Sequence, residues 1–152
     1  MVRFNSGSYL EHAKRDLVTA KLAIGQSNPN SIILSQQACE KSLKDYIVTK
    51  QDIPVTSESL RTHKVRDLRK RAGIDELSKY DVEYMDLSDY YFNGRYPGDV
   101  EIEATDENAK KYYEVALDTY TTVCKLEGKE VCPKCGYDLT SEGLCVNINC
   151  KL

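Results

Sequence analysis

The sequence predicts an all-α protein: an antiparallel up-and-down four-helix bundle with an extra short helix, followed by a small C-terminal module held together by metal. Two observations carry this. Apolar residues recur at helical period through most of residues 8–128, between breakers at Gly25, Asn28-Pro29, Gly73 and Asn93-Gly94. Four cysteines then fall within residues 132–150, where the chain is too short to bury a core of its own.

The first helix opens at Ser8-Tyr9-Leu10-Glu11, which has the form of a capping box: a hydroxyl followed three residues later by a carboxylate. Leu10, Ala13, Leu17, Ala20 and Ile24 share one face, and Gly25 with Asn28-Pro29 ends the helix. A second helix begins near Ser31. Ile32, Cys39, Leu43 and Ile47 form its stripe with Ser35 filling the gap, and Gln37, Glu40, Lys41 and Lys44 form a polar face. Residues 51–62 read as a linker around Pro54. Val65, Leu68 and Ala72 face inward on a short helix whose stop is Gly73. Leu77, Tyr80, Tyr84, Leu87 and Tyr91 repeat in a 3-4-3-4 pattern and make a fourth helix. After a loop at 93–105, Thr105 starts the last helix, with Ala109, Tyr112, Ala116, Tyr120 and Val123 inward. Long helices joined by short loops pack antiparallel. Cys39 and Cys124 lie on or beside the stripes, where buried small hydrophobes are expected.

In the tail, Cys132-Pro133-Lys134-Cys135-Gly136 is followed by Cys145, with nine residues between Cys135 and Cys145, and four further residues separate Cys145 from Cys150. Two residues between cysteines make a tight turn whose sulfurs reach one ion, and a second pair at the end of a hairpin completes a tetrahedron of thiolates. Pro133 stiffens the turn, and Gly136 allows the positive φ with which the chain leaves it. Cys132, Cys135, Cys145 and Cys150 are therefore the expected ligands of a structural Zn²⁺, in a zinc ribbon spanning 129–152 beside a bundle spanning 1–128. Zinc would supply folding energy on the order of 10–16 kcal/mol. Filling all four positions with protein leaves none for water or substrate, which argues against a catalytic metal. The competing readings are two disulfides, which need export, and redox-active or idle thiols. The tail would serve as a platform for another molecule or as a cap on its own bundle.

The formal net charge is −3, and four thiolates with one Zn²⁺ would change it by −4 + 2 = −2. Whole-chain charge thus gives no argument for nucleic acid. The N-terminal segment MVRFNSGSYLEH has no apolar export signal, and the longest aliphatic run, Ile32-Ile33-Leu34, is too short to span a bilayer. A cytoplasmic protein with no membrane contact is expected, in keeping with reduced thiols. Eleven Tyr and no Trp suit helix interfaces or a dimer face, because a tyrosine packs its ring while keeping a polar tip.

Four landmarks in order carry a resemblance: Arg15-Asp16-Leu17 with Ala20, then Gln36-Gln37-Ala38-Cys39-Glu40-Lys41-Ser42-Leu43-Lys44, then Thr62-His63-Lys64-Val65 with Leu68, then Arg95-Tyr96-Pro97. Over about residues 8–125 the chain resembles a HEPN domain, the helical domain shared by higher eukaryotic and prokaryotic nucleotide-binding proteins. The resemblance implies a homodimer acting on or around RNA or nucleotides, often encoded beside a minimal nucleotidyltransferase as toxin and antitoxin. RNase members carry Arg, four to six residues, then His. With Arg95 in the Arg position, the His positions hold Val100, Glu101 and Ile102. Cleavage by a 2′-hydroxyl needs a proton acceptor and a proton donor, for which imidazole is suited. The chain has only His12 and His63, so the RNase motif is incomplete.

The candidate ligand-binding residues follow. His63 and Arg95 would meet in the bundle's cleft on a phosphate or base, with Tyr96 stacking or donating a hydrogen bond. In the bland alternative His63 caps a helix and Arg95 pairs with Asp99 or Glu101. The stretch Arg61–Arg71 holds six Lys and Arg in eleven residues; Arg66, Arg69 and Lys70 are expected to point away from Val65 and Leu68, to dock RNA or an acidic partner or simply to be solvated. An acidic stretch from Asp99 to Glu107 is an alternative partner for it across a dimer. Lys41 and Lys44 stand on the polar face of the second helix with Gln36, Gln37 and Glu40. The leading function is a dimeric nucleotide- or RNA-binding protein, the non-catalytic partner of a nucleotidyltransferase, with a zinc ribbon for docking. An RNase toxin using an atypical Arg/Tyr/His site and a protein-only adaptor are the alternatives.

Overall fold

Asn30–Gln51 (α2) carries apolar or small side chains on more than one face, and it becomes the helix around which the others pack. In the computed structural model, which describes residues 6–26, 28–93, 103–139, 145 and 150, α2 lies against Ser6–Ala23 (α1), Val65–Ala72 (α3), Asp81–Asn93 (α4) and Asp106–Leu126 (α5). Two 3₁₀ segments, Glu58–Leu60 and Asp75–Tyr80, join the helices. The described residues are thus all-helical except for isolated antiparallel bridges in the tail, Val131 to Asp138 and Leu139 to Cys145. None of the helices is long and apolar enough to cross a membrane.

The stripes read from the sequence meet in one core. Leu10, Ala13, Leu17 and Ala20 of α1, Ile32, Cys39, Leu43 and Ile47 of α2, and Ala109, Tyr112, Ala116, Tyr120 and Val123 of α5 are all buried in it. Cys124 is buried beside them. Thr105 caps α5 by accepting the Asn108 N–H at 3.1 Å. Gly73 closes α3 at φ 72°, its N–H reaching the Arg69 and Lys70 carbonyls. At the centre, Thr119 Oγ1 donates to the Val115 carbonyl at 2.8 Å, so the Tyr84 hydroxyl 2.7 Å away must donate to Thr119. Tyr80 and Tyr112 likewise pack at helix interfaces and donate, to Asp118 and Asp86.

Three expectations change. α1 begins at Ser6, so Ser8 stands inside its first turn and is not its cap. The fourth helix is two elements, because residues 75–80 wind as a 3₁₀ segment before α4 begins. Leu77, Tyr84 and Leu87 are buried as expected, while at the end of α4 Tyr90 is buried and Tyr91 only half-buried. The polar face of α2 is largely inside: Glu40 and Lys44 are only 6 % and 7 % exposed. α3 and α4 cover that side.

Buried Asp45 of α2 accepts the Leu10 N–H at 3.3 Å. Burial, together with hydrogen bonding and charge from the Glu127 carboxyl, pushes Asp45 up to about 8 from an ordinary 3.8. A carboxyl whose folded value is raised holds its proton longer in the native state, so its ionisation weakens folding as pH rises from about 4 to about 8. Asp45→Asn should flatten that decline and stabilise the protein at pH 8 by at least ~1 kcal/mol, with little change at pH 4, as read by denaturant unfolding at both pH values.

Candidate metal centre and mixed-charge groove

The Cys132–Cys135 turn is built by its own backbone. The Cys132 N–H reaches the Tyr137 carbonyl at 2.7 Å, the Gly136 N–H reaches the Cys132 carbonyl at 2.8 Å, and the Lys134 N–H points at the Cys132 sulfur at 3.4 Å. Burial works against the Cys132 thiolate, but the Lys134 and Cys135 N–H groups and the neighbouring thiols bring it down to about 7. Antiparallel bridges pair Val131 with Asp138 and Leu139 with Cys145, and the sulfurs of Cys145 and Cys150 lie beside those of the turn.

All six cysteines are free, and the sulfurs of Cys132, Cys135, Cys145 and Cys150 lie within 4.8 Å of one another. Cys132 and Cys150 are 3.7 Å apart and Cys135 and Cys145 3.3 Å. A tetrahedral ZnS₄ site with Zn–S near 2.3 Å has edges of about 3.8 Å. The donor set therefore fits a metal ion that favours four thiolates. Cys132 and Cys135 are buried, and Val131 packs on the bundle core. Gly136 takes φ +75°, and a Cβ there would stand 2.9 Å from the Tyr120 ring of α5. Lys14 of α1 sits over the Tyr137 ring at 4.6 Å. The tail is seated on α1 and α5.

At the opposite face, His63 precedes α3. Its Nδ1 is 2.5 Å from Glu40 Oε1, which also meets Lys44 Nζ at 3.5 Å. An ionised carboxylate only accepts, so Nδ1 carries the proton and Nε2 is left as the other ring nitrogen. Gln36 Nε2 donates to the His63 carbonyl at 3.2 Å. The imidazole lies 4.9 Å from the Tyr91 ring and 6.1 Å from the Phe92 ring. Ser88 of α4 takes the Val65 N–H at 3.0 Å, which caps α3 from another helix. Beside this, an open groove of about 270 Å³ between α3 and α4 is lined by two cations, Lys64 and Arg66, two carboxylates, Asp67 and Asp89, and Met85, Ser88 and Phe92.

The HEPN domain family model matches residues 7–127, which takes in all five helices. The chain belongs to the HEPN domain family. No curated protein and no solved structure matches it.

Within this HEPN bundle the candidate residues separate. Lys41 is held by Asp16 at 2.6 Å, and Lys44 by Glu40. Arg69 does not point outward as expected; it is buried and forks onto Asp81 at 2.9 and 2.6 Å. It turns inward because Asp81 opens α4 and needs a cation where α3 and α4 meet. Lys64 and Lys70 are exposed, and Arg66 lies on Met85. Arg95 and Tyr96 lie outside the described residues, as do Asp99 and Glu101. The residues missed from the sequence are Glu40, as the anchor of His63, and Met85 and Phe92 of the groove. Gln36, Glu40 and Lys44 at successive four-residue steps carried the signal, one polar row beside an apolar stripe.

Thiol labelling reads the metal centre directly. Loaded with metal, the native protein should react slowly at all six cysteines; chelation should release four, and the buried Cys39 and Cys124 should react only after unfolding. Gly136→Ala should loosen the tail, costing ~1–3 kcal/mol of stability and speeding metal loss to a chelator.

Proposed function

We propose that this HEPN protein is a homodimer that binds nucleotide or RNA in the cytoplasm, as the non-catalytic partner of a minimal nucleotidyltransferase in a toxin–antitoxin or defence system. Residues 1–128 form the binding bundle, and 129–152 form a zinc ribbon whose structural Zn²⁺ is held by Cys132, Cys135, Cys145 and Cys150 and which docks other molecules.

The observation that supports ligand binding is the anchored imidazole of His63 followed directly by exposed Lys64, which lines the groove with Arg66. Lys64 and Lys70 are exposed along α3, while Lys41, Lys44 and Arg69 are committed to carboxylates. Phosphates would lie along Lys64 and Lys70, with Arg95 supplying a bidentate fork. A base would stack at His63 and Tyr96, where aromatic and imidazole rings offer flat faces.

One observation favours a second reading. Glu40 orients His63 through Nδ1, the arrangement in which a carboxylate readies an imidazole for proton transfer. An RNase using His63 and Arg95 would exploit it. The Arg-to-His spacing of RNase members is absent from the sequence, which supports binding over cleavage.

The test is binding and breakdown of mixed cellular RNA by the metal-loaded protein. Affinity should fall with added salt, and Lys64→Ala with Lys70→Ala should weaken it by roughly tenfold and reduce the salt slope by about 2. Arg95→Lys should lose most of the bidentate gain. RNA should stay intact. Cleavage that disappears in both His63→Ala and Arg95→Ala would establish the RNase instead, and no salt-dependent binding would leave the protein-only adaptor.

A further inference from the structure

Two carboxyl groups meet where the chain leaves α5 for the tail. Asp45 of α2 is fully buried, and its Oδ1 accepts the Leu10 N–H of α1 at 3.3 Å. Its Oδ2 is buried with no donor among the described residues. Glu127, the residue that follows the last turn of α5, holds its own buried oxygen, Oε2, equally without a donor. Yet the two carboxyls are within hydrogen-bonding reach of each other. Ionised carboxylates only accept, so a bond between them needs a proton on one. Asp45 is the more deeply buried, and its carboxyl donates to the Glu127 carboxylate.

This contact stands at the root of the tail. The Glu127 N–H ends α5 on the Val123 carbonyl at 2.9 Å, Gly128 turns the chain at φ 78°, and the Lys129 N–H returns to the Cys124 carbonyl at 2.8 Å. Cys132 follows three residues later. One proton therefore ties together α1, α2 and the exit from α5.

We propose that this shared proton is a latch: with it the root of the tail is fastened to α1 and α2, and without it two carboxylates oppose each other and the root loosens. The seating of the metal-binding tail on the bundle is thereby coupled to pH.

The surroundings leave Asp45 as the group that changes. α1 presents Tyr9 to it, α5 presents Tyr120 and Cys124 with Glu127, and Lys129 follows. Burial pushes Tyr9 and Tyr120 up and Cys124 up to about 11, so all three stay neutral below pH 8. Lys129 favours the ionised form of Asp45, but less than burial and Glu127 oppose it. On α2 itself, Lys41 and Lys44 are held by Asp16 and Glu40. Asp45 keeps its proton up to about 8 in the closed latch and returns to an ordinary 3.8 when freed. Opening thus releases a proton, and it becomes easier by up to roughly tenfold per pH unit between these values.

Amide hydrogen exchange of the full metal-loaded chain at pH 6 and pH 8 tests this, each rate taken relative to the intrinsic rate at that pH. Protection of the Leu10 and Lys129 N–H groups should fall by at least about tenfold at the higher pH, while that of the Gly73 N–H, which closes α3, should hold. In Asp45→Asn the amide still accepts from Leu10 and donates to Glu127 but does not titrate, so protection should differ by less than about twofold between the two pH values. Glu127→Gln removes the opposing charge and should flatten the response too, which serves if Asp45→Asn fails to fold. Transfer of the metal to a chelator should be slower in Asp45→Asn than in the wild type at pH 8 and equal at pH 6, a comparison in which the pH dependence of the thiolates cancels. Wild-type protection that is the same at both pH values overturns the latch. So does a fall that is as large in the variants, or one that the Gly73 N–H shares in full, since the proton would then act on the whole bundle and not on the root of the tail.

Discussion

Burial of α2 on most of its sides is the constraint from which the rest of the bundle follows. A central helix must match its apolar stripe to several neighbours at once, and several of the polar side chains it buries take partners from other elements. Ser31 donates to the Ala20 carbonyl of α1, and Asp45 takes the Leu10 N–H. Gln36 holds the His63 carbonyl and Glu40 holds the His63 ring. The same demand that satisfies α2 therefore fixes the one imidazole at the groove. Rigid support of this kind is what a binding residue needs, because a side chain already held in place loses little freedom when a ligand arrives.

The tail depends on the bundle in a different way. It has too few apolar residues to enclose a core, so it borrows one: Val131 joins the bundle's, and Gly136 lies flat against Tyr120. The glycine answers two requirements together, the left-handed turn after Cys135 and the absence of a side chain where the α5 ring approaches. The four thiolates then need only an ion to close a shape the backbone has set. A metal bound there would brace the junction between tail and helices.

Charge is distributed with similar economy. Some of the chain's cations serve the fold: Arg69 ties α3 to Asp81, Lys41 ties α2 to Asp16, and Lys44 neutralises Glu40. Lys64 and Lys70 stay exposed at α3, which adjoins the acidic α4.

The stripes of α1, α2 and α5, the stop at Gly73 and the cap at Thr105 were legible in the sequence because each depends on spacing within a few residues. The cysteine cluster was legible for the same reason, since thiolate donors at short intervals encode their own geometry. Leu77, Tyr84 and Leu87 were legible too, but the break between the 3₁₀ turn at 75–80 and α4 was not: α4 opens at Asp81, which the Arg69 fork holds from α3. Nor could the sequence show that Arg69 points inward or that Glu40 seizes His63 from twenty-three positions away. Residue chemistry and local period determined the helices and the metal ligands by themselves. Which polar groups face each other, and hence which remain for function, was decided only by tertiary packing, because a buried charge takes its partner from whatever element the fold sets beside it.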